Sequence, residues 1–243
     1  MDKDLAFLTR CSNEELELLF KILIKEGSLT ESITGSEAYK KYGADYRQYV
    51  DLLVKEVLDF GSNTFWFQED YYTVARDACK KSGAPCNSSD SVETIELKIK
   101  SHIIGEIWYK LSEEGKKSLL ETLRYEGKNA RTLLKDSAYE FFYTLFRLGG
   151  LESYQMSAMI ANSLSMQLLN RPLPFAANAL AKSVASRAVA GVATTTALSG
   201  LAGMLAGPMG LVLTAGWSLA GPAYRVTIPA VTYIGCLRNM KKY

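Results

Sequence analysis

The sequence predicts an all-α protein: a helical bundle body followed by an apolar helical hairpin rich in small residues. Apolar residues in the first 150 positions recur at helical spacing between clusters of turn formers, and alternating strand patterns are nearly absent. Residues 153–243 contain no Asp or Glu, and residues 188–224 carry no charge of either sign. A solvated surface needs charges of both signs, so this acid-free region, residues 153–243, must be covered.

The first helix is predicted over residues 13–26. Ser12 and Glu15 have the spacing of a capping box, in which each side chain accepts a hydrogen bond from the other residue's backbone N–H. Apolar side chains then repeat at helical spacing until Gly27, a residue that commonly follows the last turn of a helix.

The next stretch, residues 28–43, is polar and predicts a loop with one helical turn at 37–41. Apolar spacing then indicates a second amphipathic helix over 45–60, for which Gly61 is a natural stop. A further helix is predicted over 71–81.

A dense run of turn formers at 82–91 predicts a loop or a joint between subdomains. An isoleucine-rich stripe then predicts a helix over 92–111. Ser112 is placed to cap the helix that follows to Arg124, and another helix is predicted over 130–148.

Three regions are therefore expected: an N-terminal helical region (1–82), a central helical region (92–170) and the C-terminal hairpin (171–243). Charge divides the chain in a similar place. Residues 1–152 hold 21 basic and 26 acidic residues, a net charge of −5, whereas the acid-free region holds seven basic residues, a net charge of +7. The two parts are expected to face different environments. The seven cations form no clustered basic face, which does not favour nucleic-acid binding.

The acid-free region has the length but not the composition of a simple membrane hairpin. Residues 188–206 approach the roughly 20 residues that span a bilayer, but they are mostly Ala, Gly, Thr and Ser. Gly203 and Gly207 lie four residues apart, a spacing that lets helices approach closely in a membrane or in a protein. Arg225 interrupts the second apolar stretch and would need an interface, a carbonyl or a carboxylate. Membrane association, a buried hairpin in a soluble protein and a multi-span protein all stay open.

Catalytic and cofactor motifs are absent from the sequence. It has no phosphate-binding loop and no dinucleotide fingerprint. The single histidine, His102, cannot complete a usual zinc site and is interpreted as structural. The four cysteines are expected to be free thiols, although a disulfide between Cys79 and Cys86 is geometrically possible. No cofactor, metal or small-molecule substrate is predicted, and an enzyme is not expected. An aromatic cluster around residues 65–72 fits either a partner-binding patch or packing between helices.

The C-terminal run Ala-Tyr-Arg-Val-Thr-Ile-Pro-Ala-Val at residues 223–231 resembles the signature of YaaW-like bacterial proteins, a largely uncharacterised family. The same resemblance extends to Cys236-Leu237-Arg238 and to three N-terminal stretches, residues 4–8, 11–16 and 60–63. The middle of such proteins is sometimes likened to the helical ubiquinol-cytochrome c chaperone domain. That likeness implies a helical assembly or chaperone role at a membrane complex, and no catalytic residue is carried over.

The sequence thus favours a non-enzymatic, chaperone-like or assembly-type protein that binds a partner, a second copy or a membrane through its hairpin. A pore-forming or toxin-like effector is the alternative. The polar, acidic start of the chain indicates no secretory signal and predicts the cytoplasm, peripheral to or inserted in the inner membrane. The candidate structural or interaction residues are Tyr224, Arg225, Pro229, Gly203 and Gly207. Pro222 and Pro229 predict a structured break around Arg225, whose side chain is expected to dock onto a carboxylate of the N-terminal body.

Overall fold

The computed structural model describes residues 1–24, 32–61, 69–123, 137–169 and 224–242. These residues form nine α-helices and two short 3-10 helices, and no strand occurs among them. In chain order the α-helices are α1 Asn13–Ile24, α2 Glu37–Tyr42, α3 Val50–Gly61, α4 Tyr71–Ser82, α5 Val92–Lys110, α6 Glu113–Thr122, α7 Ala138–Leu148, α8 Gly150–Leu168 and α9 Tyr224–Lys242. The predicted all-α class is confirmed.

The chain divides into two compact units. The first comprises Met1–Ile99 and Gly216–Gly235, and the second comprises Lys100–Ala215 and Cys236–Tyr243. Two of the three boundaries lie in described residues, and both fall inside helices, one in α5 and one in α9. The three regions expected from the sequence stay a prediction.

Capping side chains start several helices where the sequence predicts them. Ser12 N–H donates to the Glu15 carboxylate at 2.7 Å and Glu15 N–H donates to Ser12 Oγ at 3.3 Å, so the predicted capping box is present. Ser112 Oγ accepts from Gly115 N–H at 3.2 Å and begins α6. Ser36 begins α2 in the same way. These bonds satisfy backbone donors that have no partner within the helix itself.

Three elements differ from the prediction. The predicted helix from Asp45 begins with a 3-10 helix, Tyr46–Tyr49, and becomes α-helical only at Val50. In a 3-10 helix residues three apart lie on one side, which lets both buried tyrosines reach the same aromatic cluster. The ring centroid of Tyr46 lies 4.9 Å from that of Phe20 and 6.1 Å from that of Tyr49. The other two elements, the 3-10 helix Ala6–Arg10 and α8, have no predicted counterpart.

A disulfide joins Cys79 in α4 to Cys86 in the following loop, so the expectation of free thiols is wrong for these two residues. Gly83 ends α4 in the left-handed conformation, and the chain turns back so that the two Cα atoms are 6.3 Å apart. That separation lies within the range that a disulfide spans. Cys11 and Cys236 are buried and belong to no disulfide, as expected.

Close helix packing, rather than turn geometry, explains Gly61 at the end of α3. It has no positive φ, unlike Gly43, Gly83, Gly149 and Gly150. A Cβ atom at this position would overlap both methyl groups of Val74, a fully buried residue of α4, and would lie 2.8 Å from its Cβ. The missing side chain therefore allows α3 and α4 to meet.

Replacing Gly61 with Ala is expected to lower the free energy of unfolding by about 1–3 kcal/mol, because the new methyl group would force α3 and α4 apart. Chemical denaturation followed by circular dichroism measures the change. Gly35→Ala is the matched control, since Gly35 has no atom within 4 Å of the added Cβ and should be neutral or slightly stabilised. Equal stability of the two variants would contradict this account of α3–α4 packing.

The helix α8 is buried on every face although it is rich in polar side chains. Every residue from Gln155 to Ser165 is buried, and Ser153 is buried as well. Ser153 Oγ accepts a hydrogen bond from the Asn239 side chain at 3.0 Å. By contrast, within the part of the chain that the structure describes, Ser157 Oγ and both polar atoms of the Gln155 side chain have no hydrogen-bond partner.

Two serine substitutions in α8 should therefore have opposite effects. Ser157→Ala removes a buried hydroxyl without a bond and should leave stability unchanged or raise it, whereas Ser153→Ala breaks the bond to Asn239 and should lower stability. Helix propensity changes equally in both, so the difference isolates the hydrogen bond, about 1–2 kcal/mol. Thermal unfolding of the two variants tests this. If Ser153→Ala were more stable than Ser157→Ala, a stabilising hydrogen bond between Ser153 and Asn239 would be refuted.

Candidate functional site

Three of the residues proposed from the sequence, Tyr224, Arg225 and Pro229, lie in the first part of α9. Tyr224 is half-buried, and the ammonium group of Lys81 in α4 lies 5.3 Å from the centre of its ring. Burial raises the pKa of the Tyr224 hydroxyl, and the nearby carboxylates of Asp77 and Glu69 raise that pKa further. The phenol is therefore neutral at physiological pH, and a cation stacks on its ring.

The other predicted site residues have different surroundings. Arg225 is exposed, and Pro229 is buried inside α9. The predicted break does not extend to Pro229, because α9 continues through it. Proline removes the backbone bond that residue 229 would donate one turn back, and its ring crowds the carbonyl there. Burial of the helix offsets this cost. Docking of Arg225 onto a carboxylate stays a prediction, and Gly203 and Gly207 lie outside the described residues.

Packing covers the middle of α9 on all sides. Every residue from Val226 to Leu237 is buried, including Thr227 and Thr232. Thr232 Oγ1 donates to the Ile228 carbonyl at 2.7 Å within the helix, which satisfies that hydroxyl. A helix buried all round is a core element rather than a surface helix. Of the residues that the structure describes, no helix has both the length and the apolarity needed to cross a membrane.

Two contacts in the first unit fix the position of α9. The Tyr233 hydroxyl, fully buried, donates to the backbone carbonyl of Glu15 in α1 at 2.8 Å. Gly235 lies against Glu96 of α5, where a Cβ atom would come within 2.9 Å of the Glu96 Cβ. The hydrogen bond of Tyr233 is directional and so restrains the rotation of α9 about its axis. Gly235 has no side chain, and this allows α9 to pack closely against α5 at that point.

A buried polar chain links this point to the N-terminus. Glu96 is 2 % exposed, and its carboxylate accepts from the Tyr71 hydroxyl at 3.0 Å. The backbone N–H of Tyr71, at the start of α4, donates to the Asp2 carboxylate at 3.0 Å. Asp70 caps the same helix, and hydrogen bonds from the Thr73 side chain and backbone lower the pKa of its carboxyl. Two carboxylates at a helix N-terminus complement the helix dipole.

Sequence reasoning missed Tyr233, Gly235 and Glu96, and it included Tyr71 only as a member of the aromatic cluster around residues 65–72. Their contacts join positions far apart in the chain, and no local sequence pattern predicts such pairs. Gly235 alone carried a signal, since an isolated glycine within a helical pattern usually has a packing reason. In the described ranges, no group of three His, Cys, Asp or Glu side chains is arranged to hold a metal. His102 is half-buried in α5, and its structural role stays a prediction.

This geometry defines a class: an all-α protein whose C-terminal helix is part of the core. A family model described as a domain of unknown function (DUF3944) matches residues 1–28, which include Asp2 and Glu15. A UPF0174 protein of Helicobacter pylori strain J99 is 31% identical over 98% of this chain and 91% of its own length. One from H. pylori strain 26695 is 30% identical over 86% of this chain and 97% of its own length.

The UPF0174 protein YaaW of Escherichia coli K12 is 25% identical over 98% of this chain and 94% of its own length. No solved structure matches the chain significantly. The chain therefore belongs to the UPF0174 family, and the predicted resemblance to YaaW-like proteins is confirmed.

Tyr233→Phe is expected to lower the free energy of unfolding by about 1–2 kcal/mol, because it removes a fully buried hydrogen bond to Glu15 without removing the ring. Tyr72→Phe provides the matched control. Its hydroxyl donates to the Ser88 carbonyl at 2.9 Å in an exposed setting, where water replaces the lost partner. Urea denaturation compares the two. A smaller loss of unfolding free energy for Tyr233→Phe than for Tyr72→Phe would contradict a stabilising hydrogen bond between α9 and α1.

Proposed function

We propose that this protein is a non-enzymatic docking protein of the assembly or chaperone type, which binds a membrane or partner helices through residues 170–223. The observation that carries this proposal is the burial of both flanking helices. The core segments of α8 and α9, Gln155–Ser165 and Val226–Leu237, are buried on every face. Both ends of the intervening segment are therefore held by packed helices.

The composition of residues 170–223 supports a covered segment. It contains no acidic residue and only three basic ones, Arg171, Lys182 and Arg187, all near its beginning. Its abundant Gly, Ala, Ser and Thr suit close packing between helices better than deep insertion into lipid. Marginal insertion and close helix packing together favour a reversible interaction with a membrane or a partner over a permanent span. In this proposal the protein works in the cytoplasm, at or near the inner membrane.

Because α9 is buried, a truncation that removes it is not a clean test of binding by residues 170–223. Removing everything after residue 152 would take away α8 and α9 and with them part of the core. An internal replacement avoids this problem. Residues 170–223 are exchanged for a Gly/Ser linker of equal length, so that both flanking helices keep their sequence and their chain connection.

The linker variant is expected to keep helical circular dichroism and a cooperative thermal transition but to lose binding. Binding is measured as co-sedimentation with vesicles of anionic phospholipid and as recovery of partners on immobilised protein. Retention of both kinds of binding by a folded linker variant would overturn the proposal. A second variant, in which residues 170–223 are scrambled at constant composition, separates the sources: lipid binding should survive scrambling, and recognition of specific helices should not.

A pore-forming or toxin-like effector is the alternative function for the same segment. The two differ in their effect on a sealed vesicle. A docking protein should bind without releasing a trapped dye, whereas an effector should cause rapid leakage that the linker variant lacks. Leakage at protein concentrations that saturate vesicle binding would favour the effector.

A further inference from the structure

The disulfide between Cys79 and Cys86 lies next to the start of α9. Cys79 belongs to the last turn of α4, together with Lys81, and Lys81 stacks on Tyr224. Cys86 lies in the loop between α4 and α5, seven positions along the chain. The covalent bond therefore restrains the helical turn that contacts the first described residue after residues 170–223.

The loop does not depend on the disulfide for its conformation. The Tyr72 hydroxyl donates to the Ser88 carbonyl at 2.9 Å, and Asn87 N–H donates to the Asp90 carboxylate at 2.7 Å. Lys98 pairs with Asp90 at 2.6 Å, with both side chains only 10 % exposed. Burial alone would raise the pKa of the Asp90 carboxyl, but the bonds from Lys98 and Asn87 and the charge of Lys98 hold it below its ordinary value. The Asp90 carboxyl therefore stays ionised near neutral pH.

A cross-link over so short a loop restrains the unfolded chain less than a long one would. Because the loop has these other contacts, the disulfide can open without unfolding it. The two sulfur atoms also differ in access: Cys79 is fully buried, whereas Cys86 is half-buried between the exposed residues Pro85 and Asn87. An incoming thiolate can reach the Cys86 sulfur first.

We propose that Cys79 and Cys86 form a reversible thiol–disulfide site that exchanges with low-molecular-weight thiols and regulates how firmly α4 holds the start of α9. In reduction, a thiolate attacks Cys86 Sγ, the bond to Cys79 breaks, and Cys79 leaves as a thiolate. A second thiol attacks the outer sulfur of the mixed disulfide and releases Cys86. Two electrons pass to the protein, its two cysteines take up the protons of the two thiols, and one small disulfide is produced. Oxidation is the reverse exchange with that disulfide.

Opening the bond releases the last turn of α4 from the loop and so loosens the contact between Lys81 and Tyr224. The thiol exchange is independent of what the protein binds. Its consequence for docking rests on the function proposed above, because Tyr224 adjoins the proposed docking segment. A disulfide that forms and opens in a reducing compartment is usually catalytic or redox-sensing, rather than structural.

Equilibration of the full-length protein with glutathione at graded ratios of reduced to oxidised form tests the exchange. Acid quenching, maleimide labelling and peptide mass spectrometry then report each cysteine. Cys79 and Cys86 should titrate together in one two-electron transition, while Cys11 and Cys236 stay free throughout. A pair that remains oxidised in excess reduced glutathione, or remains reduced in excess oxidised glutathione, overturns the proposal.

Limited trypsin digestion of the same samples tests the coupling. Cleavage after the exposed Arg225 should be about threefold faster or more in the reduced protein, because local opening of the first turn becomes easier. Cleavage after the exposed Lys41 of α2 is the internal control and should not change. Cys86→Ser should match the reduced protein under all conditions. Equal cleavage at Arg225 in both redox states overturns the coupling. The glutathione equilibration and the trypsin digestion use neither a membrane nor a partner. Failure of the redox proposal can therefore be distinguished from failure of the docking function, which the linker replacement tests.

Discussion

The seating of α9 in the first unit is the constraint on which the rest of that unit depends. One hydroxyl bond, from Tyr233 to the Glu15 carbonyl, ties the end of the chain to its first α-helix across 218 positions. One glycine, Gly235, lets α9 approach Glu96 of α5. Glu96 in turn accepts from Tyr71, whose backbone N–H reaches Asp2. A helix from the acid-free region is thus part of the core of the first unit.

Burial of these polar groups makes the arrangement specific. A buried carboxylate such as Glu96 is costly unless it is bonded, and a bonded one tolerates few alternative positions of its neighbours. Burial of apolar surface is non-directional, whereas a hydrogen bond has a preferred geometry. The directional bond from Tyr233 to the Glu15 carbonyl restrains the rotation of α9. The first residues of the chain take part as well, since Asp2 accepts from the backbone N–H of Tyr71.

Part of the acid-free region therefore belongs to the core of the protein. The helices α8 and α9, which flank residues 170–223, are core elements, and most of their polar residues are buried. The sequence left open what covers a region without acidic residues. For α8 and α9, the cover is the protein itself. What we propose to be available for docking is the segment between them, and the disulfide beside Tyr224 gives the protein a chemical means of adjusting one end of it.

The sequence by itself determined the helical class and most helix starts, because these depend on local physics: the period of apolar residues, the Ser12–Glu15 capping box, the Ser112 cap and the glycines that follow helices. It also identified the family through its C-terminal run. Only the tertiary structure decided that α9 continues through Pro229, that Gly61 and Gly235 serve close packing, and that Cys79 meets Cys86. Each of these depends on which distant surface a residue contacts, and that information is absent from the neighbouring sequence.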